Sequence, residues 1–204
     1  MIGLIFWSSL LLIVYTYLLY PLILSGISTL YPARMYTEVD EPPSVTLLIA
    51  AYNEAESIGA KIENSLKLDY PHDRLQIIVA ADGSDDETVS IIESFKDPRV
   101  VLSFRPERLG KMAAINRAMT QATGEIVVFS DANNIYASDT LRQLIQAFDG
   151  PMVGAVSGAK LILKDDGALG QSEGLYWRYE SFIKERESRL GCCTGVCGEI
   201  LALR

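Results

Sequence analysis

The chain has 204 residues, enough for one domain with a sizeable core and a small additional element. Its 18 Lys and Arg residues against 26 Asp and Glu residues give a formal net charge of −8. This acidity argues against a broad nucleic-acid-binding surface, which needs clustered cations, but allows a small phosphate-bearing ligand whose charge a metal ion offsets. The cysteines Cys192, Cys193 and Cys197 have neither the spacing of a zinc site nor that of a disulfide framework.

The first 33 residues predict a transmembrane anchor. They contain no Asp, Glu, Lys, Arg or His, and Ile2 to Leu30 exceeds the about 20 residues that a helix needs to cross hydrocarbon. A cleaved signal peptide would need a basic start and a shorter apolar core, and a buried core helix normally carries a polar stripe. Pro21 predicts a kink or break. Arg34, the nearest cation, favours a cytoplasmic location for the residues that follow.

A regular alternation of strands and helices follows a linker at 34–44 that contains Pro42 and Pro43. Apolar runs predict strands at 45–50, 75–80, 100–104, 125–130 and 153–157. Helical spacing predicts helices at 54–68, 85–95, 110–122, 138–148 and 171–189, with Asp85 and Ser138 as N-caps. This alternation predicts an α/β domain with a mostly parallel sheet and helices on both faces.

The last helix carries an apolar stripe of Leu175, Tyr179, Phe182 and Ile183. The pattern is typical of an ordinary amphipathic packing helix. A helix lying near the membrane, or near a segment expected beyond Arg204, is the alternative.

Polar side chains follow three of the strands directly. Asn53 and Glu54 come after the first, Asp82 ends the second, and Asp131 and Asn133 come after the fourth. Carboxyl ends of parallel strands meet at one edge of a sheet, which is where such folds bind ligands. Each residue taken alone is equally typical of a turn or a helix cap.

These residue types suit a nucleotide and a divalent cation. Asp82 offers acceptor oxygens for a base N–H or a ribose hydroxyl, and Gly83 permits close approach of a ligand. Asp131 and Asn133 offer the oxygen ligands that Mg²⁺ or Mn²⁺ prefers, with a diphosphate and water completing the shell. Lys111, at a helix start, suits a phosphate.

Several other enzyme classes lack their signatures. The segment ending in Gly110-Lys111 is not a P-loop, because Arg105 and Met112 stand where that motif needs Gly and Ser or Thr. No G-x-G-x-x-G follows a strand, which disfavours a dinucleotide cofactor. There is no G-x-S-x-G, and the single histidine, His72, sits in a polar turn, so a serine hydrolase is not indicated.

In their order, the motifs resemble those of family 2 inverting glycosyltransferases of the GT-A fold, especially the membrane-bound, polysaccharide-synthase-like branch. The resemblance extends from about Val45 to the last residue. It consists of Tyr52-Asn53-Glu54, Tyr70-Pro71, Asp82-Gly83-Ser84-x-Asp86, Gly110-Lys111 with Asn116, Asp131-Ala132-Asn133, and Gly-x-x-Gly with Ala-x-Arg from Gly195 to Arg204. It implies a Rossmann-like sheet, a nucleotide diphosphate sugar (usually a UDP-sugar) and Mg²⁺ or Mn²⁺, and the membrane segment also fits.

The resemblance also implies site roles. Tyr52, Glu54 and Asp82 would bind the donor, the last two at the nucleoside, and Lys111 would lie near the nucleotide. Asp131 and Asn133 would hold the metal and the diphosphate, in the position where the family has D-x-D.

Two residues depart from the family pattern. Asn133 replaces the more usual Asp and offers an oxygen without a charge, so it would weaken or alter metal binding. Ala81 stands where many members carry a further Asp before Asp82.

The implied organisation is an anchor at 1–33, a linker at 34–44 and a glycosyltransferase domain at 45–204. The implied reaction is a direct displacement, in which a carboxylate base activates the hydroxyl of a polysaccharide or lipid-linked acceptor. That base is expected beyond Arg204, because Glu180 and Glu199 are poorly positioned substitutes. Two alternatives remain: a donor-binding fragment without turnover, and a nucleotidyltransferase-like enzyme, although the latter usually has an early Gly-rich phosphate loop.

Overall fold

The computed structural model describes residues 1–31, 39, 41–148, 150, 152–159, 167–193, 195–196 and 200–204, without the side chains of 167–173. The chain divides into two compact units. One comprises 1–35 with 159–196, and the other comprises 36–158 with 197–204. Most of the predicted linker lies outside the described residues, and the domain boundaries proposed from the sequence stay a prediction.

The helices are α1 (Ile2–Val14), α2 (Tyr20–Ser28), α3 (Ile58–Leu66), α4 (Thr88–Ser94), α5 (Lys111–Met119), α6 (Thr140–Gln146) and α7 (Gly167–Arg189). The strands are β1 (Val45–Ala51), β2 (Leu75–Asp82), β3 (Val100–Arg105), β4 (Ile126–Asp131), β5 (Ala155–Ser157) and β6 (Ile200–Leu203). A 3₁₀ turn, His72–Arg74, precedes β2.

The six strands form one sheet in the order β3-β2-β1-β4-β6-β5. The strands β1 to β4 are mutually parallel, and β6 is antiparallel to both β4 and β5. The predicted α/β class with a mostly parallel sheet is therefore confirmed. Strand order reverses between β1 and β4, and the crevice at such a reversal is where open α/β sheets bind ligands.

Helices cover both faces of this sheet, because the central strands are apolar on both sides. On one face, Leu47 and Ile49 belong to a core that includes residues of α3, α4 and α6. On the other, Leu48 packs with Ala114 and Ala118 of α5. Two alanines, one turn apart, leave α5 with little side chain between its backbone and the sheet.

Both predicted N-caps are wrong. The N-cap of α4 is Glu87, not Asp85, and that of α6 is Asp139, one residue beyond Ser138. The Asp85 carboxylate instead accepts a hydrogen bond of 2.6 Å from the Asn53 amide, so the loop after β1 engages it. The strand β6 was not predicted, since four residues give no clear period and their partners are distant in sequence.

In the other unit, α1 and α2 form one apolar helix from Ile2 to Ser28 that is long enough to cross a membrane. A π-helical turn at Tyr15–Leu19 ends two residues before Pro21, the residue predicted to cause a kink or break. Pro21 cannot donate a backbone hydrogen bond to the Tyr17 carbonyl. The Tyr179 hydroxyl of α7 donates to that carbonyl at 3.2 Å.

Two further contacts join α7 to α2. The Tyr20 hydroxyl donates to the carboxylate of Glu187, and Arg186 Nε donates to Ser25 Oγ at 3.0 Å. Leu175, part of the predicted apolar stripe, is 62% exposed. The described contacts of α7 with α2 are thus made in good part by polar groups.

Candidate functional site

An open cleft of about 320 Å³ lies at the carboxyl ends of β1, β2 and β4. All six site residues proposed from the sequence line it: Tyr52, Glu54, Asp82, Lys111, Asp131 and Asn133. Arg108 and Gly110, which precede α5, also line it. The register explains the convergence, because Ala50 of β1 pairs with Asp131 of β4 while Ala51 pairs with Ala81, next to Asp82.

The loop after β1 is held by hydrogen bonds to the loop after β2. Asn53 has a φ of 52°, a conformation that Asn tolerates better than most residues, and its side chain exchanges hydrogen bonds with Asp85. The backbone N–H of Glu54 donates to the Thr88 hydroxyl at 2.8 Å. The Glu54 carboxylate accepts a 2.6 Å hydrogen bond from Ser57. Glu54 is therefore fixed at the cleft by its main chain and its side chain.

Tyr52 and Arg108 stack at the cleft. The guanidinium carbon lies 3.7 Å from the centroid of the Tyr52 ring, which is within cation–π range. Tyr52 is 38% exposed. The pair offers a flat aromatic and guanidinium surface, of the kind on which nucleobases stack.

Asp82 is almost fully buried and organises the segment before α5. Its carboxylate accepts hydrogen bonds from the backbone N–H groups of Leu109, at 3.1 and 3.2 Å, and Gly110, at 2.6 Å. Arg117 of α5 lies 3.9 Å away and donates at 2.8 Å to the Ala81 carbonyl. In this structure, Asp82 therefore shapes the wall of the cleft as well as lining it.

Gly83 allows the two loops to approach. Its φ is +65°, and a Cβ atom placed there would lie 2.7 Å from the backbone nitrogen of Arg108. Any other residue here would therefore be strained by its positive φ and would also clash with the backbone of Arg108.

Lys111 and Asp131 form an ion pair inside the cleft. The Lys111 ammonium lies 2.5 Å from an Asp131 carboxylate oxygen, and the two side chains are 57% and 33% exposed. Exposure of this order means that solvent screens the pair. Both groups are therefore available to a charged ligand.

A divalent cation fits the chemistry of this donor set. Asp131 offers a carboxylate and the exposed Asn133 an amide oxygen, both of which are hard ligands. Among the described residues, no three His, Cys, Asp or Glu side chains group closely enough to form a metal site alone.

One buried charge at this site was missed by sequence reasoning. Lys61 of α3 is 0% exposed, and its ammonium donates at 2.7 Å to the carbonyl of Asn134, directly after Asn133. The signal was its position on the buried face of α3, three residues after Ile58 and four before Ser65. A lysine on such a face indicates a buried partner.

A mostly parallel sheet whose switch-point cleft holds carboxylates, an amide and a lysine is typical of nucleotide-sugar-binding domains of the GT-A fold. The sequence profile of glycosyl transferase family 2 matches residues 46–201. The chain belongs to this family.

Curated relatives include two bacterial synthases. The chain is 31% identical over 163 residues to poly-beta-1,6-N-acetyl-D-glucosamine synthase of Staphylococcus aureus, covering 78% of this chain and 39% of the relative. It is 32% identical over 127 residues to beta-monoglucosyldiacylglycerol synthase of Synechocystis sp., covering 60% and 26%. The chain thus spans well under half the length of these relatives.

Solved structures share the fold. A mannosyltransferase from Pyrobaculum calidifontis, in complex with GDP-Man and Mn²⁺, has a TM-score of 0.75 and 28% identity, covering 95% of this chain and 54% of that one. TarS 1-349 of S. aureus, in complex with UDP-GlcNAc, has a TM-score of 0.53 and 22% identity, covering 61% and 36%. The second likeness bears on the fold alone.

Proposed function

We propose that the cleft binds a nucleotide diphosphate sugar, a UDP-sugar, together with Mg²⁺ or Mn²⁺. The whole protein would transfer the sugar to a polysaccharide or lipid-linked acceptor at a membrane. The observation that carries this proposal is the meeting of six donor and metal candidates in one cleft, at the point where strand order reverses.

The nucleoside end of the cleft is formed by Tyr52, Glu54 and Asp82. The stacked pair of Tyr52 and Arg108 offers a surface for a base. Glu54 offers an acceptor for a base N–H or ribose hydroxyl, and its contacts with Ser57 and Thr88 hold it in place. Asp82 lines the cleft and contributes by fixing the backbone of Leu109 and Gly110 in its wall.

The diphosphate end is formed by Lys111, Asp131 and Asn133. Asp131 and Asn133 would hold the cation, and Lys111 would leave Asp131 to neutralise a phosphate oxygen. The Lys111 side chain is half exposed, and among the described residues its ion pair with Asp131 is the only one within hydrogen-bond range. Breaking this solvent-screened pair would therefore cost little free energy. The bound cation would supply Lewis-acid stabilisation of the leaving diphosphate.

Transfer of the sugar is proposed as an inverting displacement. The acceptor hydroxyl, deprotonated by a carboxylate base, attacks the anomeric carbon from the face opposite the diphosphate. Residues of this chain hold the donor and spread the charge of the leaving group. Binding of the donor without turnover is the alternative for this length of chain.

Whether the nucleobase of the donor is uracil or guanine is the first point to test. UDP is proposed from the resemblance to polysaccharide synthases, whereas the Pyrobaculum calidifontis mannosyltransferase structure contains GDP-Man. Isothermal titration calorimetry of the full chain in detergent, with UDP and GDP, in Mn²⁺ and in EDTA, separates the two. Mn²⁺-dependent binding of UDP, tighter than that of GDP, supports the proposal. Tighter GDP binding would reassign the donor, and failure of both would remove the donor site.

A further inference from the structure

The segment after β4 lies along helix α3 and is hydrogen-bonded at three alternate residues, two of them to α3 and one to Asp69 just beyond its end. The carbonyl of Asn134 accepts from Lys61 Nζ at 2.7 Å, and that of Tyr136 from Asn64 Nδ2 at 2.9 Å. The carbonyl of Ser138 accepts from the backbone N–H of Asp69 at 2.8 Å. This segment begins directly after the proposed metal ligands, so α3 determines the path of the chain that leaves them.

Two side chains of α3 make most of these bonds, and we call Lys61 and Asn64 the α3 clamp. Asn64 binds Tyr136 twice, because its Oδ1 also accepts the Tyr136 backbone N–H at 2.9 Å. The Lys61 ammonium lies 3.4 Å from the centroid of the Tyr136 ring. Both clamp residues therefore act on the same short stretch, 134–136.

The clamp fixes both ends of the Asp131–Asn133 stretch. On the carboxyl side, Lys61 holds the carbonyl of Asn134. On the amino side, the Tyr136 hydroxyl donates at 2.6 Å to Ser130 Oγ near the end of β4. Tyr136 is the residue to which Asn64 is hydrogen-bonded. The turn from β4 to residue 136 is thereby closed by side-chain bonds on either side of Asp131.

Burying the ammonium of Lys61 costs free energy, which its hydrogen bond to the Asn134 carbonyl partly offsets. An ammonium without solvent is strongly unfavourable unless it is hydrogen-bonded or paired, and a methionine would fill the apolar stripe without that penalty. Burial lowers the pKa of Lys61 to about 7, while the charge of Asp131 opposes that shift.

We infer that Lys61 and Asn64 are positioning residues of the donor site. They hold Asp131 and Asn133 in the geometry that binds a divalent cation with the diphosphate of the donor, and they touch neither. This inference rests on the proposed function, because it assigns a role toward the cation and diphosphate proposed there.

Three full-chain variants test the clamp. Lys61→Met removes the ammonium and keeps the apolar stem. Asn64→Ala removes both bonds to Tyr136 without changing the charge, so it separates positioning from electrostatics and carries the test if Lys61→Met does not fold. Ile62→Val, on the same helix and fully buried in the core, is the control for a loss of stability alone.

The measurements are UDP affinity by calorimetry, in Mn²⁺ and in EDTA, and amide hydrogen exchange of 131–136. Loss of a supporting contact behind metal ligands typically costs 10- to 100-fold in affinity. We expect both clamp variants to bind UDP at least about tenfold more weakly in Mn²⁺, with faster exchange at 131–136. In EDTA their affinities stay within about twofold of the unaltered chain, as those of Ile62→Val do in both conditions.

Different failures point to different errors. Unchanged Mn²⁺-dependent UDP binding in Asn64→Ala, and in Lys61→Met where it folds, would overturn the positioning role of the α3 clamp. An equal loss of UDP affinity in Ile62→Val would overturn it as well. An effect in Lys61→Met alone would overturn positioning and leave a purely electrostatic effect. Absence of Mn²⁺-dependent UDP binding in the unaltered chain would overturn the proposed function, and this inference with it.

Discussion

The ammonium of Lys111 lies 2.5 Å from a carboxylate oxygen of Asp131, so the proposed metal ligand is neutralised by a lysine of the same cleft. The two residues come from different elements, the start of α5 and the end of β4. A divalent cation at Asp131 would compete with this lysine, whereas a diphosphate would attract it.

This relationship predicts opposite effects on two ligands. In Lys111→Met, Mn²⁺ alone should bind a few-fold more tightly, because Asp131 loses its competing cation; solvent screening keeps the gain small. UDP with Mn²⁺ should bind about tenfold more weakly, because the diphosphate loses a charge-assisted partner. Calorimetry with each ligand measures both. Lys96→Met, which removes an exposed lysine outside the cleft, is the control. A change of the same sign for both ligands would contradict the proposed exchange of Lys111 from Asp131 to the diphosphate.

Asp82 should contribute to stability as well as to the cleft. Asp82→Ala leaves the N–H groups of Leu109 and Gly110 without their acceptor and Arg117 without its nearby carboxylate. A hydrogen bond to a charged group contributes a net of about 1.5 to 3 kcal/mol, so we expect a loss of at least about 2 to 3 kcal/mol. Denaturant unfolding in detergent measures it, and Asp85→Ala, at an exposed carboxylate in the same turn, should cost less. Equal losses would mean that Asp82 has no special structural role.

Two glycine substitutions should differ in sign. Gly83→Ala places a Cβ 2.7 Å from the backbone of Arg108 at a φ of +65°, so we expect a loss of at least about 1 to 3 kcal/mol. Gly59→Ala, within α3, would place a Cβ in ordinary contact with Ile91 at 3.6 Å, so the variant should be neutral or gain up to about 1 kcal/mol. Thermal unfolding of both variants checks this. A Gly83→Ala chain as stable as the unaltered one would contradict the strained approach of the two loops.

The buried Lys61 predicts a pH-dependent stability. Its pKa falls from 10.5 to about 7 on folding through burial, so the unfolded chain binds more protons between those values. The free energy of unfolding should therefore rise with pH from about 7 to about 10, by at most about 1.4 kcal/mol per pH unit, while below pH 7 the penalty is fully present. Unfolding of the unaltered chain and Lys61→Met across this range isolates the effect. Parallel curves would mean that the lysine pKa is not lowered.

Much of the fold, and the residues that line the cleft, could be predicted from short stretches of sequence. Buried parallel strands are continuous apolar runs, and their ends are marked by residues such as Asp82 and Asp131. Parallel order then requires those ends to share one edge. Glu54 and Lys111 followed from their places after a strand and at a helix start, whereas Tyr52 followed only from the family motif.

What local pattern could not supply is contact between distant loops. Asn64 and Tyr136 are 72 residues apart, and nothing in either segment alone indicates their reciprocal hydrogen bonds. The acceptor role of Asp82 toward Gly110 likewise depends on how two loops meet. The caps at Asp85 and Ser138 failed for a related reason, since several polar residues near a helix start compete for one role.

The most direct test of the account is UDP binding in Mn²⁺ by the unaltered chain and by Asp131→Asn, measured by calorimetry in detergent. This substitution keeps the shape of the side chain and removes the one negative charge that Asp131 and Asn133 together offer to a divalent cation. Asp139→Asn, an exposed carboxylate at the start of α6, is the matched control. We expect Mn²⁺-dependent binding in the unaltered chain and in Asp139→Asn, and its loss in Asp131→Asn. Equal Mn²⁺-dependent binding by all three chains would contradict the assignment of Asp131 and of the donor site built around it.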